Sequence, residues 1–370
     1  MIAPEPVRKL ADLLVEYSLG VEPGWEVSFN ATPEALPLAV EVMRAVSSRG
    51  AHLLVFMRDE VLTETYYRYA TDELLKSVSK VDRFLMENLD AMISVVSSTH
   101  TKYLASIDPE RLKISSMARR ELTETFMKRS AEGSLKWVVS AYPTKALAQE
   151  ANMSFMDYAE FVFRALKVDK PDPISEWKMQ AEWQEKIANF LNKVSELRYE
   201  GPGLDLTVRV EGRRWINDDG KHNMPGGEVF TAPIEDSVEG VIEFTYPAVW
   251  RGKEVEGVRL VFKRGVVVEA KAVRGEEFLK KMLETDEGAK RVGELAFGLN
   301  YGVDRFTKSI LFDEKIGGTI HLALGAAYPE CGGENKSAIH WDMVRDMKGS
   351  RVYADGDLIY ENGKFLEDVI

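Results

Sequence analysis

Four stretches, each carrying a histidine or an acidic residue that could do chemistry, lie in the last 143 residues of this 370-residue chain, and none of the four is explained by periodic core packing. In Ser337-Ala338-Ile339-His340-Trp341-Asp342, an extended backbone points His340 and Asp342 to the same side, two residues apart. An imidazole beside a carboxylate offers a borderline and a hard donor to one divalent cation, and a surface ion pair is the other use of such a pair. In the segment from Asn223 to Pro233, Gly226 and Gly227 permit tight curvature just before Glu228, and Pro233 ends the segment. Glu228 is therefore held rather than free, either for chemistry or to cap backbone N–H groups in a turn. Glu294 lies in Gly293-Glu294-Leu295-Ala296-Phe297-Gly298, an otherwise apolar stretch. A buried acid needs a partner there, and a cation is one solution. His321 sits among small and apolar residues, with Asp313-Glu314 before it and Tyr328-Pro329 after it. Taken alone, His321 also reads as a satisfied core histidine.

Other chemistries lack their residues. The sequence has no Walker-type phosphate loop, no complete dinucleotide fingerprint, no serine elbow and no HExxH helix. Cys331 is a lone cysteine, which is usually inert packing, and it permits neither an intramolecular disulfide nor a Cys-rich zinc module. His52, opening an apolar strand, and His100, in a Ser/Thr-rich loop, need only structural roles. Arg213-Arg214-Trp215 reads as a strand-edge ion pair, Asp218-Asp219-Gly220 as a turn, Lys263-Arg264 as a hairpin tip, and His222 stays outside the candidate set.

The elements that must position these residues divide into two halves. Helical spacing over 7–19, 33–48, 109–129 and 145–167 alternates with short apolar strands at 25–29, 51–57, 91–97 and 136–141. That alternation predicts a doubly wound α/β domain, a parallel sheet covered by helices on both faces. Lys170-Pro171-Asp172-Pro173 breaks the pattern, 175–197 reads as one long connecting helix, and Gly201-Pro202-Gly203 punctuates again. Beyond it, strand signals at 204–210, 240–246, 258–262 and 266–270 lie close together, and 352–365 reads as a hairpin with turns at Asp355-Gly356 and Asn362-Gly363. The expected organisation is an N-terminal α/β domain over 1–198 and a C-terminal α+β metal-binding catalytic domain over 199–370.

Composition narrows the partners. Sixty acidic against 48 basic residues give a net charge of −12, which argues against nucleic acid or an anionic membrane as the main partner. No signal peptide opens the sequence and no apolar run is long enough to span a bilayer, so the expected location is cytoplasmic. One cysteine, three glutamines and 29% charged residues lean toward a thermophile.

At these residues the sequence resembles the thermophilic aminopeptidase T family of dinuclear metallo-aminopeptidases. The order Gly-Glu-Val-Phe-Thr-Ala-Pro at 227–233, Gly-Glu at 293–294, His-Leu-Ala-Leu-Gly at 321–325 with a following Tyr, and Ile-His-Trp-Asp at 339–342 is that family's pattern. The resemblance implies that Glu228, Glu294, His321, His340 and Asp342 hold two divalent metal ions per chain, zinc or cobalt ahead of magnesium or manganese. It also makes Tyr328 the active-site tyrosine. The family's glutamate shortly before the first histidine corresponds to Glu314, here seven residues upstream instead of about five, across an insertion at 315–320. The family further implies peptide substrates with a free N-terminus and a homodimer whose active sites face an enclosed cavity.

Charge counting fits two metals: Glu228, Glu294, Glu314 and Asp342 contribute −4 and two divalent cations +4. Two cations roughly 3.5–4 Å apart would acidify a water and polarise the scissile carbonyl. Glu228 or Glu294 would double as proton shuttle, and Tyr328 would donate to the oxyanion or ligate a metal. Activity should fall below about pH 6, where histidine ligands protonate. A dipeptidase or amidohydrolase on another amide, and a non-catalytic metal- or peptide-binding protein, are the competing readings.

Overall fold

The computed structural model describes residues 4–250 and 252–369. Contacts divide the chain into two compact units: Met1–Ile174 with Lys221–Pro225, and Ser175–Gly220 with Gly226–Ile370. The long helix, Pro173–Leu191, thus lies almost wholly in the second unit from Ser175 onward, whereas a boundary at 198/199 would follow it. It is also shorter than its sequence signal, because 196–201 already forms a strand.

In the first unit, β1 (Glu26–Ala31), β2 (His52–Met57), β3 (Ala91–Val96) and β4 (Lys136–Ala141) pair in parallel in the order β2-β1-β3-β4, and the short strand Asn223–Met224 extends the sheet beside β4. The order reverses direction between β1 and β3, which makes the sheet doubly wound. Val27, Phe29, Ala91, Ile93 and Val138 are buried, as apolar runs in a covered parallel sheet require. β2 departs from the expectation. Its run His52-Leu-Leu-Val-Phe-Met57 is as apolar as the others, yet β2 is an edge strand and leaves Leu54 and Val55 each 38% exposed. Two helical stretches are also interrupted. The first divides into Pro109–Ala118 and Arg120–Ala131, and the second into Lys145–Glu150 and Phe155–Ala165, with Asn152 left-handed and Ser154 capping the next helix.

The second unit is built from antiparallel sheets. Among the described residues, an eight-stranded sheet runs from Val266–Lys271 at one edge to Lys364–Phe365 at the other, and includes the expected C-terminal hairpin with turns at Asp355-Gly356 and Asn362-Gly363. A five-stranded sheet consists of β5 (Ile216–Asp218), β6 (Glu228–Thr231), β7 (Val292–Gly298), β8 (Thr319–Gly325) and β9 (His340–Asp346), in the order β9-β8-β7-β6-β5. Strand geometry sends alternate side chains to opposite faces. One face carries Val229, Leu295, Phe297, Leu322, Trp341 and Met343 into the main core. Phe297 is its centre, with ring centroids of Phe365 at 4.9 Å, Tyr360 at 5.3 Å, Trp215 at 5.9 Å and Tyr199 at 6.3 Å.

This packing predicts that Phe297→Ala costs about 3–5 kcal/mol, read as a lower denaturant midpoint with an unchanged m-value. A loss under about 1 kcal/mol would mean that the aromatic cluster is not the anchor of this sheet.

Candidate metal centre

The other face of the five-stranded sheet collects the chemistry. Its register pairs Asp218 with Glu228, Glu228 with Gly298, His321 with Ala296, and both Glu294 and Asp342 with Ala323, while His340 faces Gly325. Cross-strand partners share a face, so these side chains project together over the sheet. Glycine is required where β6 begins. A Cβ on Gly226 would lie 2.4 Å from the Gly220 nitrogen, and Gly227, with φ +120°, would place one 2.4 Å from the Asn300 Cβ. The chain can approach 218–220 this closely only without side chains, and the approach delivers Glu228 to the face.

His321 Nε2 is 3.2 Å from Glu228 Oε2 and 3.5 Å from Glu294 Oε1, and His340 Nε2 is 2.9 Å from Glu294 Oε2 and 3.5 Å from Asp342 Oδ1. His340 Nδ1 lies 2.8 Å from the Ala326 carbonyl, so that nitrogen donates and Nε2 turns to the carboxylates. Three overlapping triads have donor atoms within 4.8 Å of one another: Glu228, Glu294 and His321; Glu294, His340 and Asp342; Glu314, His321 and Asp342. Glu314 therefore reaches the cluster despite its longer spacing. The additional residues fold back over the end of β7, where Gly317 N donates to the Asn300 carbonyl and Gly318 N to the Gly298 carbonyl. Glu228 Oε2, Asp342 Oδ1 and both ring nitrogens of His321 are buried without a hydrogen-bond partner. Orphaned donors of this kind, mixed imidazole and carboxylate, fit a divalent cation. Tyr328 packs its ring against His340 at 5.0 Å and Phe230 at 5.5 Å. Burial, reinforced by Glu294 and Asp342, pushes its phenol up, so it stays a donor.

Three residues join the site without a motif to announce them. Lys315 is fully buried, with Nζ 3.1 Å from Glu228 Oε1, 3.3 Å from Asp218 Oδ2 and in contact with Glu314 Oε1. Burial pulls its pKa down, but Glu228, Glu314 and Asp218 outweigh it and hold the ammonium charged. Asp218 corrects the sequence reading: it is the last residue of β5, not part of a turn, because pairing with Glu228 places it on the same face. Gln184, on the long helix, donates from Nε2 to the carbonyls of Asp218 and Glu228 and to Asn217 Oδ1, tying β5 to β6. The period-two spacing of Ile216 and Asp218 was a signal for the strand; nothing local marks Lys315 or Gln184. Arg213 does form its ion pair, at 2.6 Å to Glu235, and the His222 ring lies 4.7 Å from Trp137 in the first unit. Cys331 is buried, which pushes its thiol up to about 12.

Burial disfavours charge on the two histidines, but the carboxylates win. His321 is raised to about 9 through Glu294 and Glu228, and His340 to about 11 through Asp342 and Glu294. Glu294 is pushed up by burial, yet the same imidazoles bring it down to about 2. At pH 8 the metal-free histidines are thus protonated, and a bound cation requires them neutral. Loading at pH 8 should release at least two protons per chain, measured calorimetrically in buffers of different ionisation enthalpy; release of none would remove the histidines from the ligand set. Lys315→Met should cost about 3–5 kcal/mol in the metal-free protein by leaving buried carboxylates unpaired, read as a lower unfolding midpoint.

The comparisons with known proteins agree with the family resemblance. A family model described as thermophilic metalloprotease (M29) matches residues 4–365. Aminopeptidase 2 of Geobacillus stearothermophilus is 31% identical over 401 residues, covering 96% of this chain and 97% of its own. Aminopeptidase T of Thermus thermophilus is 30% identical, covering 96% of this chain and 95% of its own. The solved structure of wild-type AmpT from Thermus thermophilus superposes with a TM-score of 0.84 at 27% identity, covering 98% of this chain and 99% of that one. The chain belongs to the M29 family of thermophilic metalloproteases, whose chemistry implies a divalent metal.

Proposed function

We propose that this chain is a metal-dependent aminopeptidase that removes the first residue from peptides with a free amino terminus, and that Glu228, Glu294, Glu314, His321, His340 and Asp342 hold two divalent cations. The observation that carries the reading is the convergence of these six donors in three overlapping triads, with Glu294, His321 and Asp342 each shared by two. Shared donors are what two neighbouring ions need, and relatives over nearly the whole length are named aminopeptidases.

When bound, such a pair supplies Lewis-acid polarisation of the scissile carbonyl and brings the pKa of water toward neutrality. The side chains of this protein do the remainder. Glu228 or Glu294 accepts a proton from the attacking water and returns it to the leaving amine. Tyr328, kept protonated, donates a hydrogen bond to the tetrahedral oxyanion. Asp218 and Lys315 cancel in charge, so the count of −4 from the four ligand carboxylates still stands. With two divalent cations held, the ligand shell would be neutral, leaving no net positive charge to repel the protonated amine of the substrate. Two imidazoles in the set favour zinc or cobalt over magnesium or manganese. The reading includes a homodimer, in keeping with the family resemblance. The cytoplasm of a thermophile is its setting, supported by the charged, cysteine-poor composition. No helix among the described residues is long and apolar enough to cross a membrane.

After zinc or cobalt loading, metal analysis should return about two ions per chain, and an unblocked leucyl chromophore should be hydrolysed while its N-acetyl analogue is not. Glu294→Gln and His340→Ala should each lose metal and more than about 100-fold in kcat/KM, with native circular dichroism retained. Fewer than one ion per chain together with no turnover would overturn the reading, and hydrolysis of the blocked substrate would move the protein to another class of amidase.

A further inference from the structure

His340 and Asp342 have a second neighbour besides the carboxylate cluster. Together with Val344 on the same face of the edge strand β9, they form one wall of a recess of about 330 Å³. Val249, Trp250, Phe306 and Ile310 line its other sides. The walls are fixed before any ligand arrives. Phe306 stacks on Tyr246 with ring centroids 5.4 Å apart and 15° between planes. The Trp341 indole donates to the Val249 carbonyl at 3.1 Å, and Trp250 packs 6.3 Å from the Trp341 ring.

Apart from the ligands His340 and Asp342, the ionisable groups lining the recess among the described residues are Lys308 and Asp313, and both are engaged. Lys308 is paired with Glu254 at 2.8 Å. Asp313 accepts from the Thr307 backbone N–H at 2.7 Å and from its hydroxyl at 2.8 Å. Lys308 is neutralised by its partner, burial pushes the Asp313 carboxyl up to about 8, and the remaining lining from Val249, Trp250, Phe306, Ile310 and Val344 is apolar.

We infer that this recess receives the side chain of the substrate's first residue and selects large apolar ones, leucine-like or aromatic. The inference rests on the aminopeptidase reading. In that reaction a single residue precedes the scissile bond, and consecutive Cα atoms are only about 3.8 Å apart. The first side chain must therefore leave the ligand cluster at once, into a space that shares a wall with the ligands. The recess beside His340 and Asp342 does so. Its volume is at the lower end for a ligand pocket, which suits one bulky side chain and not a second residue.

The test ranks kcat/KM of the metal-loaded protein across unblocked leucyl, phenylalanyl, alanyl, glutamyl and lysyl chromophores. Leucyl and phenylalanyl should exceed alanyl by at least about tenfold, the scale at which apolar pockets discriminate, and should exceed both charged substrates. Ile310 is 49% exposed at the mouth, so Ile310→Trp narrows the recess with little burden on folding. It should lower the leucyl-to-alanyl ratio at least about tenfold with metal content unchanged, and Phe306→Ala should lower the same ratio. A flat ranking, a preference for lysyl or glutamyl, or an unchanged ratio in both variants would overturn the assignment of the recess while leaving the aminopeptidase reading intact. Absence of hydrolysis of every unblocked substrate by the fully loaded protein would overturn both.

Discussion

Each candidate ligand on the five-stranded sheet has an alanine or glycine as a cross-strand neighbour, and this constraint organises the rest of the site. Glu228 faces Gly298, His321 faces Ala296, Glu294 and Asp342 face Ala323, and His340 faces Gly325. Opposed Cβ atoms in an antiparallel sheet lie about 4.5–5.5 Å apart. A large side chain at any of these positions would occupy the volume in which the donors converge. The same strands must also be held still, which is the task of the opposite face, where Phe297, Leu322, Trp341 and Met343 are packed into the core. One sheet thus carries two incompatible surfaces, small and polar above, large and apolar below, kept apart by the two-residue period.

That period explains why so much of the site was legible in the sequence. Leucine and phenylalanine alternate with the donors, while glycine and alanine share the donors' face, because each residue type belongs to one face. The alternation survives as Gly293-Glu294-Leu295-Ala296-Phe297-Gly298 and His321-Leu322-Ala323-Leu324-Gly325. The parallel sheet of the first unit was legible for a related reason, since buried strands read as short apolar runs between helices. What the sequence did not carry was position within a sheet. β2 is as apolar as its neighbours and lies at an edge. Nor does local pattern report partners far away in the chain. Lys315 meets Glu228 across 87 residues and Gln184 reaches the Glu228 carbonyl across 44, and neither stands in a recognisable motif. Asp218 was visible but misassigned, because Asp-Asp-Gly is ordinary turn chemistry and only pairing with Glu228 reveals the strand.

The long spacing between Glu314 and His321 also acquires a physical account. Bringing Glu314 to His321 and Asp342 depends on the fold-back at 315–318 and not on a fixed count of residues. The same fold-back buries the Lys315 ammonium among Asp218, Glu228 and Glu314. A lysine there, surrounded by three acids, is stable only as a charged group, and it occupies one oxygen of Glu228 and one of Glu314 while Glu228 Oε2 is left facing His321 Nε2 at 3.2 Å.

Lys315 therefore bears on how the protein matures. Small metal domains whose ligands repel one another fold only when the ion arrives. Here an internal cation already offsets part of the carboxylate repulsion, and an aromatic core lies beneath the same strands. Folding can then precede metal uptake, with the ion entering a finished cleft. In a cell short of metal, newly made chains would accumulate as folded, dormant enzyme instead of passing to proteolysis, and would become active when the ion returned, without new synthesis.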